Sequence, residues 1–470
     1  MTTPASTPDQ KTLTAKNAKQ GHGIPFAEAL QVWLKIALLS FGGPAGQIAV
    51  MHRILVDEKG WVSENRFLHA LNYCMLLPGP EAQQLAIYIG WLLHRTLGGL
   101  VAGILFVLPG FIAILALSIL YAGFQDLAFV QALFFGLKPA VLAVVIYAVH
   151  RIAGRALTNG VMIAIAAAAF VAIFFFDIPF PLIILSAALI GFMGGRIQPG
   201  LFAFRGHGGG KDKGDKAALD AAVAGGALDH THPSLGRAIR IALIGLGLWF
   251  APLLALAAFL GGAHIYVQEG LFFSKMAVVT FGGAYAVLAY VAQEAVNYYG
   301  WLNPGEMLDG LGMAETTPGP LIQVVQFVGF MGAYRNPEPF DPLLSGILAS
   351  VLTTWVTFVP CFLWIFLGAP YIERLRENRA LTTALSGITA AVVGVILNLA
   401  VWFALNVIFG QVDEVHRAGA RLYVPVWNTV DPASLALAVG ALLALFWFRI
   451  GMIPTLAGSA ALGVVYHLAL

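Results

Sequence analysis

Long apolar runs separated by short polar turns recur from one end of the chain to the other, at 98–121, 127–149, 161–176, 239–260, 342–367, 388–409 and 435–448. Each approaches the roughly 20 residues with which a helix crosses the hydrocarbon of a bilayer. No soluble domain of any size remains between them, so the pattern predicts an all-α polytopic membrane protein. Inside these apolar surroundings stand unexpected breaks. Phe41-Gly42-Gly43 and Pro78-Gly79-Pro80 have near copies at Phe281-Gly282-Gly283 and Pro318-Gly319-Pro320.

The breaks are part of an internal repeat. Offset by 240 residues, the chain matches itself without a gap. Lys35 falls on Lys275, Ser40 on Thr280, Gly60-Trp61 on Gly300-Trp301, and Gln83 on Gln323. After an insertion near 335–341 the register resumes, pairing Pro109 with Pro360 and Gly136 with Gly387. A repeat that keeps odd polar and glycine positions, and not only apolar ones, is the signature of a transporter-like architecture. The expected organisation is a cytoplasmic N-terminal tail at 1–25, a first repeat at 26–198, a flexible cytoplasmic linker at 199–237, a connecting transmembrane helix at 238–262 and a second repeat at 263–470. The linker is rich in glycine, charge and small residues and buries too little apolar surface to fold. Its His207, His230 and His232 read as solvated linker histidines or, less commonly, as metal ligands.

If each proline-broken segment counts as one span, the first repeat has six, the connector one and the second repeat six, giving about 13 membrane segments and two inverted repeats. The distribution of basic residues tests this, because cytoplasmic loops carry the excess. With the N-terminus inside, Lys11, Lys16, Lys19, Arg95, Arg151, Arg155, Arg196, the linker, Arg374, Arg376, Arg379 and Arg449 fall inside. Arg53, Lys59, Arg335, Arg417 and Arg421 fall outside among Asp57, Glu58, Glu338, Asp341, Asp413 and Glu414. The bias predicts a cytoplasmic N-terminus and a periplasmic C-terminus. A re-entrant hairpin at 66–95 is the rival reading and would change the count without removing the inversion.

Composition and charge narrow the function classes. Hydrophobic residues make up 59% of the 470 and charged ones 11%, against roughly a quarter charged in soluble domains. A net charge of +2, with bases scattered between spans, does not suit nucleic acid. Cys74 and Cys361 are too few and too far apart for a disulfide framework or a metal site, and reduced structural thiols are expected. No nucleophile, metal-ligand cluster or cofactor motif appears, which disfavours an enzyme and implies no cofactor and no metal. The N-terminal stretch lacks the apolar core of a signal peptide, so the first apolar segment is expected to be retained. The bilayer is the evident partner; the oligomeric state stays open, a homodimer included.

The breaks carry the candidate chemistry. Irregular backbone at membrane depth is tolerated only where protein buries it or it lines a water-filled cavity. Pro-Gly-Pro removes two amide donors and permits a sharp bend. The helices that restart at Glu81 and after the Gly-Gly pairs then present unpaired amides and positive dipole ends to that cavity, which favours an anion. The expected substrate-binding set is Lys35, Ser40, Gly42, Gly43, Pro78, Gly79, Pro80 and Gln83 with Lys275, Thr280, Gly282, Gly283, Pro318, Gly319, Pro320 and Gln323. For the two lysines a cavity role competes with snorkelling to the interface, and the hydroxyls and amides have helix packing as their ordinary role. Glu81 and Glu315 are candidate proton carriers, with a helix cap as the alternative for Glu81. His69 and Asp309, matched across the repeat, are a second such pair or else near-interface polar groups. Trp61 and Trp301 read as interfacial anchors.

The pairing of FGGPAGQ at 41–47 with LLPGPEAQQ at 76–84, followed by GLVAGILFVLPGF at 99–111, resembles the chromate ion transporter family, in its long two-domain form. The resemblance implies a bacterial inner-membrane protein that exports chromate with the proton motive force and confers chromate resistance. Chromate is a tetrahedral dianion isosteric with sulfate, so a transporter of sulfate or another divalent oxyanion is the alternative. The second repeat departs from the motif, with Ala284 for Pro44 and Leu321 for Glu81, which puts equal roles for the halves in doubt.

Overall fold

The computed structural model describes residues 23–125, 127–202, 219, 233–281, 283–372, 379–417 and 419–469. The N-terminal tail up to residue 22, most of the linker with its three histidines, Gly282, Arg374 and Arg376 lie outside the described residues. The rest is nearly all helix. In the first repeat these are α1 (Phe26–Leu39), α2 (Gly43–His52, continued by a π turn to Glu58), α3 (Glu64–Cys74), α4 (Glu81–Phe124), α5 (Ala128–Ala156), α6 (Gly160–Phe176) and α7 (Phe180–Ile197). The connector is α8 (Leu235–Leu260). The second repeat holds α9 (Ile265–Val279), α10 (Ala284–Gln293, with a π turn to Tyr298), α11 (Pro304–Thr316), α12 (Val324–Arg335), α13 (Pro342–Gly368), α14 (Arg379–Ile408), a hairpin of β1 (Val412–Arg417) and β2 (Ala420–Pro425), α15 (Pro432–Phe446) and α16 (Met452–Ala469).

Among the described residues, six helical stretches are long and apolar enough to cross a membrane: Glu81–Phe124, Ala128–Ala156, Phe180–Ile197, Leu235–Leu260, Pro342–Tyr371 and Ala380–Ile408. Gly160–Phe176, Pro432–Phe446 and Met452–His467 are shorter apolar helices. The outward faces match a lipid solvent, most clearly on α8, where Leu243 and Leu254 are each 69% exposed and Phe259 is 87% exposed. In water such a surface would drive aggregation.

The glycine- and proline-broken segments do not run from one face to the other, which corrects the expectation of one span for each. At the open end of the α1–α2 pair, Lys59 Nζ lies 2.8 Å from Glu28 Oε1 and Lys35 Nζ lies 2.9 Å from Glu58 Oε2. The chain therefore enters on α1, breaks at 40–42 and returns on α2. A second hairpin enters on α3 and returns on the first arm of α4, with the Tyr73 and Tyr88 rings 5.7 Å apart. That arm reverses at His94 and Arg95, whose φ of −132° and 55° leave the helical region. Gly90 and Gly98 let the two arms of α4 touch: a Cβ on Gly90 would stand 2.5 Å from Gly98 O. His94 ends beside the start of α1, with Nε2 3.1 Å from Ile24 O. The second repeat makes the same pair of hairpins from α9–α10 and α11–α12, where Lys275 Nζ donates to Tyr290 OH at 3.0 Å. A continuous span was the wrong inference because each break reverses the chain rather than bending it.

Trp61 and Trp301, expected as interfacial anchors, are buried instead. Trp301 stacks on Tyr299 with centroids 4.2 Å apart and meets Phe272 at 5.6 Å, so it closes the open end of the α9–α10 hairpin. On one end of the molecule the β hairpin pins the two repeats together: Arg421 Nη1 lies 3.0 Å from Asp177 Oδ1 and Nη2 donates to Ile173 O at 3.1 Å.

Candidate functional site

The four breaks meet as a crossed pair. Gly79 N–H donates to Thr280 O at 2.8 Å, and Gly319 N–H donates to Ser40 O at 2.9 Å. Each Pro-Gly-Pro loop of one repeat thus bonds the break of the other repeat. Glycine is required at both points, since Gly79 and Gly319 have φ of 122° and 102°, a region costly for residues with a Cβ. Their neighbours correspond as well. A Cβ on Gly79 would stand 2.9 Å from Cys361 Sγ, and one on Gly319 would stand 3.1 Å from the Cα of Gly110, the repeat partner of Cys361.

Two cavities flank this crossing, at opposite ends of α5 and α14. The larger, about 1080 Å³, is lined by Val144 to Ala156 positions of α5 and by Thr158 just after it, by Thr382 to Thr389 positions of α14 and by Arg449 to Met452. The smaller, about 540 Å³, is lined by Val130 to Lys138 positions of α5, by Asn406 and Val407 of α14 and by Asp309. The repeat relates them: Thr389 of the larger cavity matches Lys138 of the smaller, and Arg155 of the larger matches Asn406 of the smaller.

The larger cavity has the character of an anion vestibule. Gly42, Gly43, Pro44 and Ala45 at the start of α2, Glu81 at the start of α4, and Gly283, Ala284 and Tyr285 at the start of α10 all line it. Three half-helix N-termini therefore face one space, each with unpaired amides and a partial positive charge. The Pro318-Gly319-Pro320 loop is not among its lining residues and packs on Gly110 instead. Formal positive charge comes from Arg151, Arg155 and Arg449, with His52 and His150 beside them. Among the carboxylates, Glu81 lines the cavity and Glu315 lies one side chain behind its wall, accepting from the hydroxyl of the cavity-lining Tyr285. The Arg151 guanidinium is within electrostatic reach of that pair.

Other expected residues have different surroundings. Lys35 and Lys275 line neither cavity and instead close their hairpins through Glu58 and Tyr290. The Ser40 and Thr280 hydroxyls donate back to Ile36 O and Met276 O at 2.6 Å each, so their donors are used within the helix. Gln83 is fully buried with no partner for its amide among the described residues, whereas Gln323 Nε2 donates to Gln326 Oε1 at 2.6 Å. His69 lies on α3 between the cavity-lining Leu68 and Leu71 without lining the space itself. Asp309 forms a buried cluster on the smaller cavity, with Tyr121 OH donating to it at 2.9 Å and Lys138 Nζ at 3.4 Å. Cys74 and Cys361 are buried free thiols.

The arginines of the vestibule were visible in the sequence only as topology markers. The signal that finds Arg155 is the resumed register, which pairs it with Asn406 as it pairs Lys138 with Thr389. Polar positions that correspond across the two repeats point to lining surfaces.

A family model described as "Chromate transporter" matches residues 27–192 and 267–464. The chain is 32% identical over 375 residues to a chromate transport protein of Pseudomonas aeruginosa, covering 77% of each chain. It is 26% identical over 450 residues to a chromate transport protein of Cupriavidus metallidurans, covering 94% of this chain and 93% of that one. It is 28% identical over 369 residues to a probable chromate transport protein of Synechococcus elongatus, covering 78% and 81%. No solved structure matches it.

Proposed function

Because this chain belongs to the chromate transporter family, we propose that it is a secondary transporter which exports chromate by alternating access and takes up the anion in the larger cavity. The observation that carries this reading is the vestibule itself, where three helix N-termini and Arg151, Arg155 and Arg449 surround one space. A tetrahedral dianion suits such a site, since backbone amides and guanidinium groups both donate to oxyanions. Alternation has a physical basis in the repeat: equivalent positions line the two cavities, and exchanging the conformations of the halves would close one and open the other. Glu81 and Glu315, beside the breaks, are the carboxylates suited to couple the anion to protons, and Asp309 is the buried carboxylate that lines the smaller cavity.

Counting each hairpin as re-entrant and each long or shorter apolar helix as a crossing puts the larger cavity on the side of the arginine-rich ends Arg151, Arg155 and Arg449, the cytoplasmic side by charge bias. The second repeat then enters from the opposite face, and the two repeats are inverted. A reporter fused after Leu470 is expected to be periplasmic and one inserted at Lys211 to Lys216 cytoplasmic; finding both on one side overturns this topology. Function is tested with everted inner-membrane vesicles. Labelled chromate is expected to accumulate when a proton gradient is imposed, and excess sulfate to compete if the site reads only shape and charge. Vesicles carrying the chain that accumulate no more chromate than empty ones would refute the proposal.

A further inference from the structure

Glu269 on α9 is completely buried, and neither carboxylate oxygen has a hydrogen-bond partner or counter-ion among the described residues. It has been given room. A Cβ on Gly332 would stand 2.6 Å from its Oε1, and a Cβ on Gly329 would stand 3.4 Å from its Oε2 and 2.3 Å from Thr353 Oγ1. Trp301 borders the same space, with its Cγ 3.1 Å from the Gly332 position. Along α13, Ser350, Thr353 and Thr357 are buried on one face, and their hydroxyls also lack partners among the described residues. This is unusual for the chain. Ser40, Ser118, Thr280 and Thr389 satisfy their hydroxyls on the carbonyl four residues back.

The first repeat supplies an internal control. In the two registers, Glu269, Gly329, Gly332, Ser350, Thr353 and Thr357 correspond to Ala29, Ile89, Leu92, Gly99, Ala102 and Phe106. There the same framework is packed with apolar side chains: Ala29, Ile89, Leu92, Ala102 and Phe106 belong to one buried cluster. The architecture therefore does not need a polar pocket at this point. A bare carboxylate in a dry interior is strongly disfavoured unless it is neutralised. Charged groups nearby are engaged elsewhere: Arg335 with Glu306 at 2.5 Å and Trp301 O at 2.8 Å, and Lys275 with Tyr290. Tyr266, on the same helix, is held by Ser345 Oγ at 2.8 Å, and α8 offers Leu253 to the helix.

We propose that Glu269, with the hydroxyl of Thr353 on the same glycine-opened space, forms a monovalent-cation site in the second repeat, filled by a proton or a sodium ion whose passage drives the anion. The carboxylate takes the charge, and the Thr353 hydroxyl oxygen supplies a hydrogen-bonding or cation-coordinating partner. The site is linked to the crossing. Cys361, one turn beyond Thr357 on α13, donates to Thr357 O at 3.8 Å and borders Gly79 of the first Pro-Gly-Pro loop. Occupancy at Glu269 can thereby bias the loop whose glycine bonds Thr280. This inference rests on the transport reading, and its test separates the two.

Wild type and Glu269→Gln are reconstituted in liposomes. Accumulation of chromate is measured under an imposed proton or sodium gradient, and one-for-one chromate exchange with no gradient. The variant is expected to lose at least tenfold in gradient-driven accumulation and to show exchange that no longer responds to the coupling ion. The gradient that drives the wild type identifies the ion. Thr353→Val is expected to raise the half-maximal concentration of that ion at least threefold. Accumulation by Glu269→Gln at the wild-type rate overturns the proposal, as does loss of exchange together with accumulation in an inserted protein. Should Glu269→Gln fail to insert, Glu269→Asp takes its place, and an unshifted ion dependence overturns the proposal. Absence of chromate exchange in the wild type would count against the transport reading instead.

Discussion

Replacing Pro78-Gly79-Pro80 with three alanines is expected to abolish chromate transport while the chain still inserts. The replaced side chains carry no polar group for an anion, so a direct contact is not what is removed. Proline costs roughly 3 kcal/mol more than alanine in a helix interior, and two of them hold the turn between α3 and α4 open. With alanines the segment can continue as helix. The amides at the start of α4 would then be consumed internally, and the bond from Gly79 to Thr280 O would be lost. The same replacement at Pro318-Gly319-Pro320 breaks the bond to Ser40 O but leaves the vestibule's lining amides in place, so a smaller loss is expected. Initial rates of vesicle uptake, normalised to inserted protein, check both. A triple-alanine variant transporting at the wild-type rate would show that the break is a packing feature only.

Arg151→Glu is expected to weaken chromate binding by far more than Lys35→Gln. Arg151 lines the larger cavity near the Tyr285–Glu315 pair, and a hydrogen bond to a charged partner contributes about 1.5–3 kcal/mol, which is about a tenfold to hundredfold change in affinity. Reversing the charge adds repulsion to that loss. Lys35 is ion-paired with an exposed Glu58 at the mouth of its hairpin, and surface pairs contribute about 0–1 kcal/mol to stability and nothing directly to a distant anion. Half-saturation constants for chromate from vesicle uptake provide the comparison. Equal values for the two variants would move the anion site out of the larger cavity.

The contrast between those two basic residues shows where sequence reasoning reached and where it stopped. A lysine in an apolar run beside a glycine break looks like a cavity group, because the pattern records distance along the chain and depth, not direction. Whether the chain passes through or folds back at Gly42 depends on which residues meet across the turn. Glu28 and Lys59 do, and no periodicity in either segment announces it. Glu269 was equally unmarked by the repeat, since its match is Ala29. A lone carboxylate in an apolar run was the available clue.

The sequence by itself determined the helical, membrane-embedded class, the doubled organisation and the positions of the four breaks. These follow from composition, run length and the backbone limits of proline and glycine, which act locally and so are written residue by residue. It also carried the family resemblance, through motifs that lie at those breaks. Only the tertiary structure decided that each break is a reversal, that Gly79 and Gly319 bond across the repeats to Thr280 and Ser40, and that Arg151, Arg155 and Arg449 share one space with three helix starts. Those are matters of which distant segments touch. They are fixed by packing and by the need to pair every buried backbone group in a medium that supplies no water, a condition that the whole chain satisfies together and no single stretch can reveal.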